Sequence, residues 1–364
     1  MTKENQRAFL RFAEFLTDRS VPSPIKVDFR DYVLAKRDSL VGIGYVPDTL
    51  ETGFGANLRR LFPRAVSLTH EDFERCDTAL LSGTIYRLPE RSHKGTLKAL
   101  NVLPPYSEFL LFEGGFLATS HSWPHAFREK NPAYACLGYV FDDIAHYFMA
   151  DYPNRLIRKL NGPDEITADE RARARALIDR IVRERVSKYN AQPMTAPDPD
   201  PAWSRRVLVC DQSYADASTV YGLMDEADFE RMLFAAITEN PDAEIWVKSH
   251  PDTTWEKKSR AGYFSHLSSS GRVRIMREPM NPYMVFDLVD TVYVGTSQMG
   301  LEALLAGKRV VTFGAPFYGG WGVTDDRKVI PHRDRTRDLE SLFHYFYVWY
   351  TVYCVPGAPV PSRP

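Results

Sequence analysis

The strongest constraint on the fold is an alternation of short apolar segments with helical segments over residues 205–313. The apolar segments are rich in Val and Ile, which is typical of strands buried inside a sheet. The helical segments begin with acidic residues or end at Gly or Asn-Pro. Such alternation predicts a parallel sheet covered by helices on both faces. The predicted strands are Arg205–Asp211, Glu244–Lys248, Val273–Met276, Thr291–Val294 and Arg309–Phe313, and the predicted helices are Asp225–Asn240, Asn281–Asp287 and Ser297–Ala306.

The first half of the chain repeats this rhythm more faintly. A capping box of Thr167 and Glu170 begins a predicted helix that extends to about Lys188. The proline-rich segment Gln192–Pro201 follows, and we interpret it as the linker between two domains, a number that suits 364 residues. We therefore predict an N-terminal domain at 1–195, a C-terminal domain at 196–335 and a tail at 336–364. Predicted strands of the first domain are Leu40–Ile43, Ala65–Leu68, Thr78–Leu81 and Phe109–Phe112.

Charge and cysteine usage exclude several classes of protein. The formal net charge is −1, which argues against broad electrostatic adhesion to nucleic acid. The four cysteines lie far apart without a CxxC pair, so we expect reduced, buried thiols. The first residues carry charges and lack an apolar run, and no apolar stretch is long enough to span a bilayer. We therefore expect a cytoplasmic protein.

Five polar or glycine-rich segments directly follow predicted strands. They consequently fall at the carboxyl edge of a sheet, where open α/β sheets bind ligands. The segments are Glu113–Leu117, Asp211–Ser218, Lys248–Asp252, Gly295–Gly300 and Gly314–Gly322.

The segment Gly295–Gly300 runs from a strand into a helix start, which is a favourable place for a phosphate. The hydroxyls of Thr296 and Ser297 add hydrogen-bond donors, and the carboxylate of Glu302 can accept from ribose hydroxyls. The alternative is that Ser297 only caps the helix. The neighbouring polar segments favour the phosphate site.

Two further segments carry charged side chains suited to sugar transfer. Lys248 and His250 place a cation and an imidazole at a strand end, where they can stabilise a departing phosphate. Asp211 and Asp216 share a loop with Gln212, and a carboxylate there can stabilise or attack an oxocarbenium-like centre. The alternatives, a turn histidine and a helix-capping aspartate, stay open.

Glu113 follows the last predicted strand of the first domain and is either a general base or a turn carboxylate.

Phe317, Tyr318 and Trp321 offer aromatic faces for a nucleobase or a sugar ring. The aromatic tail 341–362 contains no Lys, Arg, Asp or Glu, and we predict a helix that packs across both domains. The competing hypothesis is peripheral contact with the inner face of the cytoplasmic membrane.

Several of these segments resemble the KpsC/LipA-type capsule polysaccharide proteins, which are β-Kdo transferases. The resemblance is carried by VLVCDQSYADAS, NPDAEIWVKSHPD, GYVFDDIAHYF, SKYN at 187–190 and VYVGTSQMGLEALLAGKRVVTFGAPFYGGWGVTDD. The matching segments run from about Gly42 to Asp326. Family members often carry two modules, and DQSYADAS and TSQMG look closer to the second.

The resemblance implies an α/β, GT-B-like fold of two Rossmann-like domains whose parallel sheets face a central cleft. It also implies CMP-β-Kdo as donor substrate, a glycolipid or oligosaccharide acceptor, retention of configuration, and neither cofactor nor metal. Asp216 matches the family's acidic residue and is our candidate nucleophile; His250 and Glu113 are the other catalytic candidates. The donor-binding candidates are Lys248, Thr296, Ser297, Gly300, Glu302, Gln212 and Tyr318.

One departure from the family pattern concerns the acceptor side. The family usually shows Glu-Asp-Gly-Phe-Leu-Arg-Ser, whereas Glu113 here begins Glu-Gly-Gly-Phe-Leu-Ala-Thr. Two alternatives therefore stay open: a transferase of the same fold with CMP-sialic acid or a UDP-sugar as donor, and a non-catalytic glycan-binding member.

Overall fold

The computed structural model describes residues 6–8, 10–14, 29–46, 48–83, 94–117, 134–251, 261–355 and 358–359. The chain divides into two compact units. Unit 1 comprises Met1–Lys159 and Tyr345–Pro364, and unit 2 comprises Leu160–His344.

Unit 1 is built on a six-stranded sheet. Its strands are β1 (Val41–Gly44), β2 (Ala65–Ser67), β3 (Thr78–Leu81), β4 (Glu108–Gly114), β5 (Gly138–Asp142) and β12 (Thr351–Tyr353), in the spatial order β12-β5-β4-β3-β1-β2. The strands β1 to β4 are parallel, and β1 and β3 are buried along their whole length, as strands covered on both faces are. The described helices of this unit are Phe29–Ala35, Leu58–Leu61, Lys94–Val102 and Arg155–Asn161, the last of which extends into unit 2. There are 3-10 turns at Lys36–Asp38, Thr49–Glu51 and Glu71–Arg75.

The strand β5 reverses the direction of the chain in this sheet. It pairs antiparallel with β4 on one side and with β12 on the other. The sheet of unit 1 is therefore mostly parallel, with the antiparallel strands β5 and β12 added at one side. Strand–helix alternation carries no information on strands added outside that pattern. Neither β5 nor β12 was among the predicted strands.

Unit 2 contains a second six-stranded sheet, in which every strand is parallel to its neighbours. The strands are β6 (Arg205–Cys210), β7 (Ala243–Lys248), β8 (Val273–Met276), β9 (Thr291–Val294), β10 (Arg309–Thr312) and β11 (Asp325–Asp326), in the order β11-β10-β9-β6-β7-β8. The predicted parallel sheet is confirmed here. The described helices of unit 2 are Ala168–Glu184, Ala217–Tyr221, Glu226–Glu239, Pro282–Phe286, Met299–Leu305 and Leu339–Phe343. The last is followed by a π-helix at His344–Trp349, which from Tyr345 onward belongs to unit 1.

A hydrophobic core covers one face of this second sheet. Alternate residues of β6 and β7 pack against the helix Glu226–Glu239 through Phe229 and Met232. Side chains of a strand point alternately to its two faces, so Cys210 and Lys248 lie on the face opposite to this core.

The boundaries of the units differ from the predicted boundary at 195/196, because residues 160–195 belong to unit 2. The helix Ala168–Glu184 has the predicted capping box at Thr167. It carries ion pairs to the helix Leu339–Phe343, with Arg171 2.6 Å from Asp338. The proline-rich segment therefore lies inside unit 2 and does not separate the units.

The aromatic tail is not a single helix. After the π-helix His344–Trp349 the chain extends into β12, which completes the sheet of unit 1. β-branched and aromatic residues such as those of Thr351–Tyr353 favour a strand once a neighbouring strand is available. Among the described residues, no helix is both long and apolar enough to cross a membrane. All four cysteines are buried thiols, which confirms that prediction.

Candidate functional site

The carboxyl ends of the parallel strands of unit 2 gather the predicted polar segments. Loops leave β6 at Asp211, β7 at Ser249, β9 at Gly295 and β10 at Phe313. Because these strands are parallel neighbours, all four loops start from the same edge of the sheet. We call residues 211–218, 248–250 and 295–298 the carboxyl-edge site.

A pair of hydrogen bonds joins the loops after β6 and β9. The side chain of Gln212 accepts from the backbone N–H of Thr296 at 2.8 Å and donates to the Thr296 hydroxyl at 2.9 Å. Gln212 and Thr296 are both buried, so these hydrogen bonds are shielded from solvent. Gly222 permits this approach, since a Cβ atom there would lie 2.3 Å from Thr296 Cγ2. The two loops are therefore held in a fixed relation.

Asp216 begins the helix Ala217–Tyr221. Its Oδ1 accepts from the backbone N–H of Ser218 at 3.0 Å and from the Ser218 hydroxyl at 2.7 Å. The capping role weighed from the sequence is thus present. The half-buried carboxylate also stands at the edge where ligands bind, and its role as nucleophile stays a prediction.

His250 lies at the end of β7, and its Nδ1 is 3.5 Å from the hydroxyl of Ser213. Ser213 is buried and belongs to the loop after β6, whereas His250 is half-buried. The neighbouring loops after β6 and β7 thus place an imidazole beside the loop that carries Asp216.

Lys248 is the most unusual charged residue of the site. It is only 5% exposed, and its ammonium has no hydrogen bond or ion pair within the part of the chain that the structure describes. Burial lowers the pKa of Lys248, because a cation loses its hydration in the protein interior. A lone buried cation is costly, so an anionic group bound beside it would be strongly stabilised.

Comparison with known proteins assigns the family. The family model described as capsule polysaccharide biosynthesis protein matches residues 103–353. The chain belongs to this capsule polysaccharide biosynthesis family.

Two proteins of capsule and lipopolysaccharide biosynthesis are similar in sequence to this chain. The capsule polysaccharide modification protein LipA of Neisseria meningitidis serogroup A is 38% identical over 258 residues, which are 68% of this chain and 35% of LipA. The lipopolysaccharide-processing protein LpsZ of Rhizobium meliloti is 35% identical over 224 residues, which are 60% of this chain and 50% of LpsZ. The chain thus spans a third to a half of the length of these relatives.

A solved structure agrees over nearly the whole chain. Thermosulfurimonas dismutans KpsC, a β-Kdo 2,4 transferase, is 30% identical with a TM-score of 0.75, covering 90% of this chain and 96% of that one. The β-Kdo 2,7 transferase of the same organism's KpsC, at 22% identity and a TM-score of 0.59, agrees in fold. With two mostly parallel six-stranded sheets, this chain of the capsule family has a GT-B-like fold.

The aromatic residues of 314–322 do not offer a stacking surface. Phe317, Tyr318 and Trp321 are buried, and the Tyr318 hydroxyl donates to the carbonyl of Ser297 at 2.5 Å. Gly300 makes room for this hydroxyl, because a Cβ atom there would lie 2.1 Å from it. This burial argues against the predicted aromatic platform. Tyr318 and Gly300 fix the backbone at Ser297, whose hydroxyl accepts from the Met299 N–H at 3.3 Å.

Glu302 faces the protein interior instead of a ribose. It is buried, and its Oε1 accepts from the Ser187 hydroxyl at 2.8 Å and the Lys188 N–H at 3.0 Å. Burial raises the pKa of Glu302 to about 7. This geometry argues against the predicted contact with a ribose. It also gives the SKYN segment at 187–190 a structural role, because its first two residues hydrogen-bond to Glu302.

Glu113 lies within β4 and does not follow it, and β4 is not the last strand of unit 1. Its Oε1 accepts from the Ser82 hydroxyl at 2.6 Å. The prediction of a turn carboxylate is therefore wrong, and the role of general base stays a prediction. Residues 118 and 119 of the altered motif lie outside the described residues.

Sequence reasoning missed Tyr214 and Tyr263. Tyr214 is an exposed aromatic residue of the carboxyl-edge site, with its ring 5.1 Å from that of Tyr263. Tyr263 comes from a segment without any motif, so only the tertiary contact reveals it. The signal for Tyr214 was its place between Asp211 and Asp216.

Proposed function

We propose that this chain is a glycosyltransferase that moves Kdo from CMP-Kdo to a glycolipid or oligosaccharide acceptor in capsule or lipopolysaccharide biosynthesis. The proposal is supported by the family, by the LipA and LpsZ relatives, and by the structural likeness to a β-Kdo 2,4 transferase. The observation that carries it is the buried cation Lys248, which has no hydrogen bond or ion pair among the described residues, at the carboxyl edge of a parallel sheet, where a nucleotide donor binds in folds of this class.

The donor is doubly anionic, since CMP-Kdo carries a phosphate and a sugar carboxylate. Lys248 would pair with one of these groups, while His250 and Ser297 offer donors to the phosphate. Gln212 fixes the backbone at Thr296 and so holds this part of the site before the donor arrives. Pre-formed donors of this kind stabilise the charge that develops on the leaving phosphate. We propose that these steps need neither a metal nor a cofactor.

In the proposed reaction, configuration is retained through two displacements at the anomeric carbon. In the first, an Asp216 oxygen attacks that carbon, the bond to the phosphate oxygen breaks, and CMP leaves with the electron pair. In the second, an acceptor hydroxyl attacks the same carbon, loses its proton to a base, and the Asp216 carboxylate departs. Glu113 is our candidate for the base.

A thermal-shift titration with CMP, UDP, GDP and ADP tests the donor class. A ligand that binds only the folded protein raises the melting temperature by mass action. We expect CMP alone to raise it. A rise with UDP or GDP and none with CMP would contradict a CMP-sugar donor, and binding of CMP-Kdo without turnover on any acceptor would indicate a non-catalytic member.

The substitution Asp216→Asn tests the nucleophile within the same experiment. Asparagine caps helices as well as aspartate does, so folding and the CMP response should persist while transfer falls at least about 1000-fold. The matched control is Asp338→Asn, which alters the cap of another five-residue helix, Leu339–Phe343. Transfer that persists in Asp216→Asn would remove Asp216 from the mechanism.

A further inference from the structure

Tyr263 lies beneath the loop that carries Asp216. Its ring stacks on Phe229, with centroids 3.7 Å apart and planes within 9° of parallel. Both rings belong to the hydrophobic core of unit 2. The hydroxyl of Tyr263 is therefore held in place by a rigid side chain.

A chain of hydrogen bonds runs from this hydroxyl to both sides of Asp216. The backbone N–H of Ala215 donates to the Tyr263 hydroxyl at 3.1 Å, and the Tyr263 and Thr219 hydroxyls are 3.2 Å apart. The Thr219 hydroxyl donates its single proton to the carbonyl of Asp216 at 2.8 Å. The proton between Tyr263 and Thr219 must consequently come from Tyr263.

The backbone at this point is held in a conformation that it seldom adopts. Ala215 has a φ of 53°, in the left-handed region that residues with a Cβ atom rarely occupy. Such a conformation persists where surrounding contacts fix it, and such positions cluster at functional sites. The hydrogen bond from Ala215 to Tyr263 is such a contact, one residue before Asp216.

We propose that Tyr263 and Thr219 are positioning residues that set the Asp216 carboxylate for attack on the donor, an inference that rests on the proposed function of Asp216. The hydroxyl chain holds the backbone before Asp216 through Ala215 and the carbonyl of Asp216 itself. It contributes no group to the bound nucleotide, because the residues proposed to hold CMP are Lys248, His250 and the Thr296–Ser297 segment. Its removal therefore affects the chemical step more than binding.

The substitutions Tyr263→Phe and Thr219→Val each remove one hydroxyl and keep the shape of the side chain. Tyr263→Phe retains the stack on Phe229 but leaves the Ala215 N–H without its acceptor. A misplacement of a reacting group by about 1 Å can cost on the order of 100-fold in rate. We expect kcat to fall by about 10- to 100-fold in either variant, with CMP affinity within about twofold of that of the unaltered protein.

The matched control is Tyr293→Phe. Tyr293 belongs to the same core, and its hydroxyl donates to Glu239 at 2.8 Å and accepts from Asn240 at 3.1 Å, away from Asp216. It should lose stability as Tyr263→Phe does while keeping kcat. An equal loss of kcat in the control, or an unchanged kcat in Tyr263→Phe, would overturn the proposal.

Hydrogen exchange of the Ala215 amide provides a test that does not depend on transfer. We expect exchange at Ala215 to become at least about tenfold faster in Tyr263→Phe and to stay unchanged in Tyr293→Phe. Unchanged exchange at Ala215 would overturn the inference even if the protein transfers Kdo. Inactivity of the unaltered protein, in contrast, would overturn the proposed function. The exchange measurement would then still show whether the Tyr263 hydroxyl holds the backbone at Ala215.

Discussion

Asp142 of unit 1 and Asp211 of unit 2 are both buried carboxylates at strand ends, yet their surroundings differ. Asp142, 1% exposed, accepts on Oδ1 from the N–H groups of Ile144 and Ala145 and on Oδ2 from the Arg155 N–H and the Tyr350 hydroxyl. Asp211, 3% exposed, accepts on Oδ1 from the N–H groups of Gln212 and Phe264, whereas its Oδ2 has no hydrogen-bond partner among the residues that the structure describes.

The difference separates a carboxylate that holds the fold from one that lies in a site. Asp142 ties Tyr350, and hence the tail before β12, to the sheet of unit 1. Asp211 lies in the same site as Lys248, whose ammonium lacks a hydrogen-bond partner within the described residues. Unsatisfied buried polar groups lower stability, and proteins keep them mainly where a ligand or a reaction uses them. Four substitutions test this comparison.

The largest effect should come from Lys248→Met. Removal of the cation should weaken kcat/KM for the donor on the order of 1000-fold, because the bound anion loses a buried ionic partner. The same substitution should raise the free energy of unfolding by about 1 kcal/mol, since a lone buried charge disappears. Steady-state kinetics measure the change in kcat/KM, and urea denaturation measures the change in the free energy of unfolding. Lower stability together with intact kinetics would mean that Lys248 is structural.

Asp142→Asn should have the opposite character. Each carboxylate oxygen of Asp142 accepts from two donors, and an asparagine must place its NH2 group where one of these oxygens was. The two donors on that side then lose their acceptor, so the free energy of unfolding should fall by about 3 kcal/mol. Tyr350→Phe, which removes one donor, should cost only about 1 kcal/mol. Denaturant unfolding measures both. Equal costs in the two variants would refute the idea that Asp142 is the centre of this network.

The smallest effect should come from Asp211→Asn and should depend on pH. Burial raises the pKa of Asp211 to about 6, so the folded protein keeps this proton where the unfolded chain has released it. The resulting stability is present below about pH 4 and is lost as the pH rises through 6. Asp211→Asn should remove this slope, on the order of 1 kcal/mol, so it should change stability little at pH 4 and raise it at neutral pH, where the wild type carries a buried carboxylate. Denaturant unfolding of both proteins from pH 4 to 7 measures this dependence. The same slope in Asp211→Asn as in the unaltered protein would show that Asp211 does not titrate in this range.

The second sheet could be predicted because its signal is local. Thr291–Val294 and Val273–Met276 form strands with the predicted bounds, and the predicted capping box at Thr167 is present. Apolar runs, capping residues and their order are written into neighbouring positions of the chain. The parallel direction of these strands then brings the polar loops to one edge.

The sequence was less informative where distant residues decide the surroundings of a side chain. Tyr318 and Trp321 were interpreted as ligand-facing because aromatic side chains in a glycine-rich loop suit a sugar, but both are buried in the protein. Glu302 was interpreted in the same way, although Ser187, more than a hundred residues earlier, occupies its carboxylate. No local pattern distinguishes a side chain that meets a ligand from one that meets its own chain.

The sequence by itself determined the α/β class, the parallel order of the second sheet, the family and the set of loops that form the carboxyl-edge site. Periodicity, helix caps and motif spacing are properties of neighbouring residues, and they survive without a structure. Only the tertiary structure decided that Lys248 is buried without a hydrogen-bond partner among the described residues, that Glu302 and Tyr318 serve the fold, and that Tyr263 reaches the backbone beside Asp216. These features depend on which side chains meet across the fold, and packing, not sequence order, sets those contacts.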